Sequence, residues 1–244
     1  MSAIPPAFHQ NLRFYLSGPA PCPYLPAQVE RKLFTRLDGD SDPGPAVVNA
    51  ALCRAGFRRS HDVVYRPACP NCNACTPVRI PVRVFQPSRS QRRVMAHNTD
   101  LTWTRADAAP TPELFALFMA YQRSRHGDSD MARMTESDFA AMLQEGGADT
   151  HLHLLRDGAG MLKGCMITDN VGDGLSAVYS FYDPDDARRS LGTFLILALI
   201  AEAQRRDEPF VYLGYWIAAS RKMAYKAKFQ PMQYLSPRGW DWWL

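Results

Sequence analysis

The amino-acid sequence predicts an α/β protein built on a mixed sheet. Of its 244 residues, 46% are hydrophobic and 21% are charged, which allows a sizeable core and argues against disorder. The composition and hydrophobic pattern of the sequence change near residue 100, from short segments rich in Pro, Cys and Arg to regular strand and helix patterns. We therefore predict a small cysteine-containing N-terminal domain, residues 1–100, and a larger C-terminal domain, residues 101–244. We expect the two to pack closely and to share one sheet or interface.

No stretch of the chain suits a membrane. A helix that spans a bilayer needs about 20 consecutive apolar residues, and no run approaches that length. The first residues lack the basic and apolar segments of a secretory signal. We therefore expect a cytoplasmic protein with no membrane partner, whose six cysteines are metal ligands or reduced core thiols.

The N-terminal part offers three short elements. Apolar residues four positions apart predict a helix over Pro26–Leu37, with the proline suited to its first turn. A second helix is predicted over Ala46–Ala55 and ends at Gly56, a residue that favours helix ends. The sequence T-P-V-R-I-P-V-R-V-F, residues 76–85, predicts a strand, and a basic segment follows it.

The C-terminal elements follow one another in a regular order. They are a strand at 101–105, helices at 111–127 and from 135 onward, strands at 151–155, 163–170 and 175–182, a helix after 190, a strand at 210–217, a short helix at 220–229 and a strand at 231–235. The helix after 190 is apolar on all sides, which predicts deep burial. This order resembles the fold of the Gcn5-related acyltransferases.

In that fold, the turn into the long central helix receives the phosphates of the acyl donor, because free N–H groups there face anions. The corresponding turn here is R-R-S-L-G-T, residues 188–193. Arg189 and Gly192 fit the pattern of that family, but Phe194 replaces its final small residue. The difference disfavours coenzyme A and leaves room for another donor.

Three cysteines form a compact motif, C-P-N-C-N-A-C. The two-residue spacing of Cys69, Cys72 and Cys75 lets successive thiolates point at one metal ion, and Cys22 could supply a fourth ligand. Thiolates favour zinc or an iron–sulfur cluster. The alternative is a set of reduced thiols packed as small hydrophobic groups. A metal site at these cysteines is thus one of two predictions, and we expect the chemistry itself to require no cofactor.

Seven segments, in order along nearly the whole chain, resemble the arginyl- and leucyl-tRNA–protein transferases. The short length and the first cysteine segment are similar to the bacterial branch of that family, the aspartate/glutamate leucyltransferases of the N-degron pathway. The segments are C-P-Y-L at 22–25, G-F-R-R-S at 56–60, C-P-N-C-N-A-C-T-P-V-R-I at 69–80, S-F-Y-D-P at 180–184, S-L-G-T at 190–193, Y-L-G-Y-W-I at 212–217 and K-M-A-Y-K at 222–226.

The resemblance implies an enzyme that moves leucine from Leu-tRNA to an N-terminal Asp or Glu of a protein and so marks it for degradation. Arg-tRNA is the alternative donor. Leucine would suit an apolar pocket lined by residues such as Met223, Phe181 or Trp216, and arginine would suit an acidic wall. Two other classes stay open: a coenzyme A-dependent N-acyltransferase and a metal-stabilised nucleic-acid-binding module without turnover.

The reaction needs few special groups, because an aminoacyl ester is already activated and positioning supplies much of the rate. Stabilising the oxyanion and protonating the leaving ribose oxygen matter more than a strong base. Asp183 could hold the incoming ammonium, or it could cap the following turn. The tyrosines could donate protons, or their rings could pack in the interior with the hydroxyl group in contact with water. The catalytic candidates are Tyr179, Tyr182, Asp183, Tyr215 and Tyr225.

Recognition of an acidic N-terminus requires a cation, ideally a guanidinium. The matching segments also suggest which main-chain and hydroxyl groups meet the substrates, and the basic segment suits phosphate contacts on tRNA. The substrate-binding candidates are Arg58, Arg59, Ser60, Ser190, Leu191, Gly192, Gly214, Lys222 and Lys226, and the tRNA-binding candidates are Arg79, Arg89, Arg92 and Arg93. For any single one of these cations, a solvated surface charge is the alternative. His151 and His153 share one face of their strand, which we predict to face solvent.

Overall fold

A computed structural model describes residues 12–37, 42–127 and 129–243. The strands, in chain order, are β1 (Tyr15–Leu16), β2 (Ala20–Pro21), β3 (Val29–Glu30), β4 (Lys32–Arg36), β5 (Arg58–Ser60), β6 (Val63–Pro67), β7 (Thr76–Pro81), β8 (Thr102–Asp107), β9 (Thr150–Arg156), β10 (Leu162–Asn170), β11 (Gly174–Tyr182), β12 (Phe210–Trp216), β13 (Gln233–Ser236) and β14 (Gly239–Trp242). The helices are α1 (Pro45–Arg54), α2 (Arg89–Ala96), α3 (Pro112–His126), α4 (Glu136–Gln144), α5 (Leu191–Arg205) and α6 (Arg221–Ala224).

An eight-stranded mixed sheet organises the fold. Its strand order is β14-β13-β7-β12-β11-β10-β9-β8, and the parallel pair is β11 with β12, which α5 connects. The other neighbouring pairs are antiparallel. From β8 to β13 the predicted order of strand, two helices, three strands, helix, strand, helix and strand is confirmed. The predicted mixed α/β class with a Gcn5-related arrangement is therefore confirmed.

The two parts of the chain share this large sheet. Strand β7 comes from the first 100 residues, yet it lies between β12 and β13. A smaller sheet, β1-β4-β6-β5, packs with α1 around a core of its own, and β2 and β3 form a two-stranded ribbon. The boundary at residue 100 stays a prediction.

The apolar patterns explain how the layers close on the sheet. Along β10, Cys165 and Ile167 enter the core beneath α3 and α4, whereas Met166 between them enters the core around α5. This alternation is the two-residue period of a strand covered on both faces. Helix α5 buries residues around most of its circumference, as its sequence predicts. None of the described helices is long and apolar enough to cross a membrane.

Two sequence predictions need correction in the N-terminal part. The helix expected over Pro26–Leu37 is wrong: the segment contains β3 and β4, because β4 pairs with β6. Thr35 of β4 and Leu37, just beyond its end, are buried. The helix predicted over Ala46–Ala55 is confirmed as α1. Helix α2 is an element that we did not predict, although Ser88 and Gln91 form the capping box that starts it.

Strand β9 also departs from expectation. His153 does share a strand face with His151, but it is fully buried rather than exposed to solvent. Its ring stacks on Trp103 with centroids 4.9 Å apart, and its Nε2 lies 3.1 Å from the Thr168 hydroxyl. Burial, with Arg105 and other nearby cations, lowers the pKa of His153 to about 4.

This burial predicts a pH-dependent stability. An unfolded histidine titrates near roughly 6.5, so between about pH 6.5 and pH 4 the unfolded chain binds a proton that the folded chain does not. The free energy of unfolding should therefore fall as the pH falls through this window, by up to about 3 kcal/mol. Urea unfolding of wild type and His153→Gln at about pH 7 and about pH 4.5 measures it. An equal pH dependence in both proteins would exclude His153 as the cause.

Candidate active site

A cleft opens where two strands of the large sheet part. Strands β11 and β12 pair only over Gly174–Ser176 and Phe210–Tyr212. Beyond that point, a bulge at Val178 shifts the register of β11 against β10, and such bulges re-aim strands beside functional sites. The space beyond the paired segment is a cavity of about 450 Å³ bounded by β11, β12, β5, α6 and the segment around α4.

Methionines, tyrosines and cations form most of the wall of this cleft. Within the described ranges, no Asp or Glu side chain lines it. Methionine side chains are flexible and adapt to apolar ligands. The lining methionines are Met131, Met134, Met142, Met166 and Met223, the lining tyrosines are Tyr24, Tyr65, Tyr121, Tyr179, Tyr215 and Tyr225, and the lining basic residues are Arg58, Arg59, His61, Lys222 and Lys226.

Arg58 fills the gap between the parting strands. Its guanidinium donates hydrogen bonds of 2.9 and 2.8 Å to the main-chain carbonyls of Ala177 and Val178. Gly214 makes room for it: its φ is +71°, and a Cβ there would overlap the guanidinium. Arg58 therefore satisfies carbonyls that the absent strand pairing leaves open, and Gly214 serves Arg58 rather than a substrate.

Arg59, the next residue, points the other way into a buried ion pair. Its Nε and one terminal nitrogen donate to the two carboxylate oxygens of Asp169 at 2.7 and 2.8 Å, and both side chains are 1% exposed. Asn49 and Thr150 donate to the same carboxylate at 2.9 and 2.8 Å. Arg59 also donates to the carbonyl of His61 at 2.9 Å. The Arg59 guanidinium thus links the small sheet to the large sheet. Helix α1 joins them through the bond from Asn49 to the same carboxylate.

Two lysines of the α6 region differ sharply in their surroundings. Lys222 is exposed, and within the described part of the chain it has no ion-pair partner. Lys226 is buried, and its Nζ donates to the carbonyl of Tyr215 at 2.6 Å. Of the four cations predicted to recognise an acidic N-terminus, Lys222 is the one that lines the cleft, is exposed and has no ion-pair partner among the described residues. Ser60 lines the same cleft, with its hydroxyl 3.3 Å from His61 Nδ1.

The predicted tyrosines fall into different environments. Tyr215 is buried, and its hydroxyl lies 2.9 Å from the carbonyl of Gly56 and 3.2 Å from that of Tyr65, so its proton is already engaged. The Tyr179 hydroxyl accepts a hydrogen bond from the Gln122 amide at 2.8 Å. Tyr225 lines the cleft and is 40% exposed. Tyr182 does not line it.

Asp183 also lies outside the cleft. Its carboxylate forms an ion pair with Lys163, with Nζ 2.5 Å from Oδ2, and accepts a hydrogen bond from the N–H of Asp185. Although burial acts in the opposite direction, these hydrogen bonds lower the pKa of Asp183. The structure therefore shows the turn-capping arrangement, one of the two roles that the sequence allowed.

The turn that begins α5 is occupied by the protein itself. The Tyr182 ring packs on Gly192, where an added Cβ would lie 2.9 Å from a ring carbon. Arg189 forms a two-pronged pair with Asp100, at 2.7 and 2.9 Å, and bonds to Asp186. Of the other candidates here, Ser190 adopts a left-handed conformation and Leu191 is buried. None of these residues lines the cleft.

The basic segment divides between core and surface. Arg79 is buried: its guanidinium lies 3.5 Å from the Phe210 ring centroid and 4.4 Å from that of Trp240, and it donates to the Gln233 amide oxygen. Arg79 therefore differs from the other tRNA-binding candidates, because an aromatic cage encloses its charge. In contrast, the exposed residues of α2 include Arg89, Arg92 and Arg93.

The four cysteines of the predicted metal site line one cavity of about 360 Å³, whose wall includes Tyr24, Tyr65 and Tyr215 of the cleft. Burial, and then the neighbouring thiols, raises the pKa of Cys75 to about 11. Among the described residues, no three His, Cys, Asp or Glu side chains are arranged to hold a metal ion. The thiols are ligands of the type that zinc and iron–sulfur clusters prefer, but they are not arranged around one point. A metal site at Cys22, Cys69, Cys72 and Cys75 stays a prediction.

Much of the cleft wall could not be identified from sequence patterns. Of the residues suggested for an apolar pocket, Met223 lines it, whereas Phe181 is buried in the core under α3 and Trp216 packs against Trp243. Met131, Met134 and the tyrosines from outside the quoted segments reach the cleft only through tertiary packing. Scattered methionines have no spacing that could have identified them.

Comparison with known proteins gives matches along most of the chain. A family model described as arginine-tRNA-protein transferase, C terminus, matches residues 113–236, and the N-terminus model of the same family matches residues 20–93. An aspartate/glutamate leucyltransferase of Paramagnetospirillum magneticum is 49% identical over 228 residues, which cover 93% of this chain and 92% of that protein. One of Maricaulis maris is 47% identical, with 95% and 90% covered.

Among solved structures, FemX is similar with a TM-score of 0.46 and 10% identity, over 83% of this chain and 79% of that chain. The C-terminal domain of a putative lysylphosphatidylglycerol synthetase from Agrobacterium fabrum gives a TM-score of 0.47 and 12% identity, with 70% and 52% covered. Both similarities are too weak to bear on function.

The buried pair beside the cleft predicts a large loss of stability on mutation. Arg59→Met leaves the Asp169 carboxylate buried without a counter-ion, and such losses cost about 3–5 kcal/mol. The double variant Arg59→Met, Asp169→Leu should recover most of that loss, because it removes both charges. Urea unfolding measures both effects. Arg36→Met, which breaks an exposed pair with Asp62, is the matched control and should cost less than about 1 kcal/mol. A single variant as stable as this control would show that the buried pair is not needed.

Proposed function

The chain belongs to the arginine-tRNA-protein transferase family, and on that premise we propose that it transfers leucine from Leu-tRNA to an N-terminal Asp or Glu of a protein. The related proteins of Paramagnetospirillum magneticum and Maricaulis maris are named aspartate/glutamate leucyltransferases. The product would be a protein marked for degradation through its new N-terminal leucine. Because the donor is an aminoacyl-tRNA, we place the reaction in the cytoplasm.

The composition of the cleft is the observation that supports leucine as the transferred residue. Its apolar wall of methionines, with Ile196 and Leu213, suits a branched aliphatic side chain. Moving such a side chain from water into an apolar pocket lowers the free energy of the complex. A transferred arginine would bring a guanidinium into this wall, where no described Asp or Glu could pair with it. An unpaired charge in such a place is costly. The cleft therefore favours Leu-tRNA over Arg-tRNA.

The charge of the cleft supports an acidic acceptor. Lys222 is an exposed cation that lines a space with no described carboxylate in its wall. An N-terminal Asp or Glu could bond to it with a charge-assisted hydrogen bond, whereas an N-terminal Arg or Lys would face like charge. Arg58 and Arg59 support the cleft instead of binding the acceptor directly.

A coenzyme A donor is less well supported. Arg189, the arginine that matches the acyltransferase pattern in the turn before α5, is not free, since Asp100 and Asp186 neutralise it. The Tyr182 ring also lies against the first turn of α5 at Gly192. Phosphates would meet a partly occupied site rather than an open anion-binding turn.

The exposed face of α2 supports tRNA binding. Arg89, Arg92 and Arg93 are exposed, and none of them has an ion-pair partner among the described residues. Gln91 of the same helix donates to the carbonyl of Lys228, in the turn that also carries Lys226. The helix therefore adjoins the segment that forms one wall of the cleft, so a bound acceptor stem would lead towards it.

A transfer assay tests the proposed function directly. Purified protein is mixed with labelled Leu-tRNA or Arg-tRNA and with peptides that differ only in a first residue of Asp, Glu, Asn, Arg or Lys. Leucine should appear on the Asp and Glu peptides and not on the Asn peptide, which has the same shape as Asp without its charge. No transfer from either tRNA, with acetyl-CoA accepted instead, would refute the proposal.

Replacing Lys222 by Met should lower kcat/KM for Asp and Glu peptides about 10- to 100-fold, because a hydrogen bond to a charged group contributes roughly 1.5–3 kcal/mol. The effect should lie mainly in KM for the peptide, and Lys222→Arg should retain more activity. Arg221→Met removes the neighbouring exposed cation, which does not line the cleft, and serves as the control. Equal losses in the two Met variants would point to a general charge effect instead.

Neutralising α2 should weaken tRNA binding in a salt-dependent way. Each phosphate contact contributes roughly 0.7–0.9 to the slope of log K against log salt concentration. The triple variant Arg89→Gln, Arg92→Gln, Arg93→Gln should therefore reduce that slope by about 2, as measured by filter binding of Leu-tRNA. Arg238→Gln, at an exposed arginine between β13 and β14, should leave it unchanged. An unaltered slope in the triple variant would exclude α2 from the interface.

A further inference from the structure

Lys226 is an unusual residue for the wall of this cleft. Its side chain is 6% exposed and makes one hydrogen bond, from Nζ to the Tyr215 carbonyl. In the described part of the chain no carboxylate forms an ion pair with it, although a buried lysine is normally paired. An ammonium here would be left with donors that the protein does not satisfy.

The groups around Lys226 also disfavour a positive charge on it. Burial, and then the nearby Arg58 guanidinium of β5, lowers its pKa well below the usual value for lysine, while Cys75 acts weakly in the opposite direction. The other titratable side chains that line the cleft are Tyr24, Arg59, His61, Tyr65, Tyr121, Tyr179, Tyr215, Lys222 and Tyr225, and none of them is a carboxylate. Burial, the single hydrogen bond and the nearby guanidinium therefore all favour the neutral amine of Lys226 over its ammonium form.

The reaction needs a group that can take up a proton and return it. When the α-amino group attacks the ester, its nitrogen becomes cationic and must lose a proton, and the departing ribose oxygen must gain one. The Tyr215 proton is already engaged by main-chain carbonyls. Burial raises the pKa of Tyr24 to about 12, so this phenol is no base at neutral pH. His61 lies at the edge of the cleft with Nδ1 beside Ser60.

We propose that Lys226 carries this proton from the attacking amine to the leaving ribose oxygen, an inference that rests on the proposed function. The amine nitrogen forms a bond to the carbonyl carbon, and the carbonyl electrons move to oxygen. The Lys226 lone pair takes the proton from nitrogen. The oxyanion then re-forms the carbonyl, the ester C–O bond breaks, and the Lys226 ammonium protonates the ribose oxygen, which regenerates the neutral lysine.

A merely structural role makes a different prediction. Lys226 also ties the turn at Tyr225–Lys228 to the end of β12 through its bond to Tyr215. Arginine at this position would keep a donor for that bond, but it stays protonated and cannot accept a proton. A structural lysine should therefore be rescued by arginine, whereas a proton carrier should not.

The test is the single-turnover rate of leucine transfer to an Asp peptide, at saturating Leu-tRNA and over about pH 5.5–9. Lys226→Arg and Lys226→Met should both slow transfer by about 100- to 10,000-fold. The ratio of wild-type to variant rate should rise with pH until Lys226 is fully deprotonated. Lys228→Met, at an exposed lysine of the same turn, is the matched control and should keep the wild-type rate. Wild-type transfer in the same assay tests the proposed function separately.

Three results would overturn the proposal. One is near-wild-type transfer by Lys226→Arg, and another is a constant ratio across the pH range. The third is loss of the pH dependence in His61→Gln instead of in the Lys226 variants. If neither Lys226 variant folds, NMR titration of wild type labelled at lysine 13Cε decides the matter, since the chain has only five lysines. One signal should titrate well below about 10.4, and five signals titrating together near that value would exclude a neutral Lys226.

Discussion

A buried carboxylate and the guanidinium that neutralises it hold this protein together. Asp169 lies in β10 of the large sheet, Arg59 in β5 of the small one, and Asn49 of α1 donates to the same carboxylate. Because successive side chains of a strand point to opposite faces, Arg58 must then point into the cleft once Arg59 is fixed in the pair. Arg58 there supplies hydrogen bonds that β12 cannot supply to β11. The opening of the large sheet and the packing of the N-terminal part against it therefore both depend on adjacent arginines of β5.

The resulting cleft selects among ligands because no described Asp or Glu side chain lines it. Apolar walls lower the local dielectric constant, so any charge inside interacts strongly with its neighbours. With cations and without described carboxylates, such a space favours ligands that bring negative charge or none. An aliphatic side chain from the donor and an acidic side chain from the acceptor both meet this condition. The same environment acts on the protein itself, since burial and the Arg58 guanidinium lower the pKa of Lys226 well below the usual value for lysine.

The element order of the C-terminal part could be predicted because its patterns are strong and local. The apolar helix α5 and the strands on either side of it repeat at periods that only one secondary structure fits. The segment at Pro26–Leu37 carried a misleading helical spacing, and its pairing with β6 overrode that spacing. The individual roles of Arg58, Arg59 and Arg79 were beyond prediction, because sequence shows a cation but not the carbonyl, carboxylate or aromatic ring that receives it. The methionine wall was equally hidden, since it assembles residues from α4, β10 and α6.

The position of β7 in the large sheet has a consequence for how the chain reaches its fold. Both neighbours of β7 come from late in the sequence: Pro81 pairs opposite Phe210, and Arg79 opposite Gln233. During synthesis β7 therefore emerges long before either partner exists, and it must stay without these partners until β12 and β13 have been made. Contacts of such long sequence separation fold slowly and leave strand edges exposed meanwhile. The central sheet is thus completed only once β12 and β13 have emerged, and a truncated chain that stops before β12 would present β7 as an open edge to other chains.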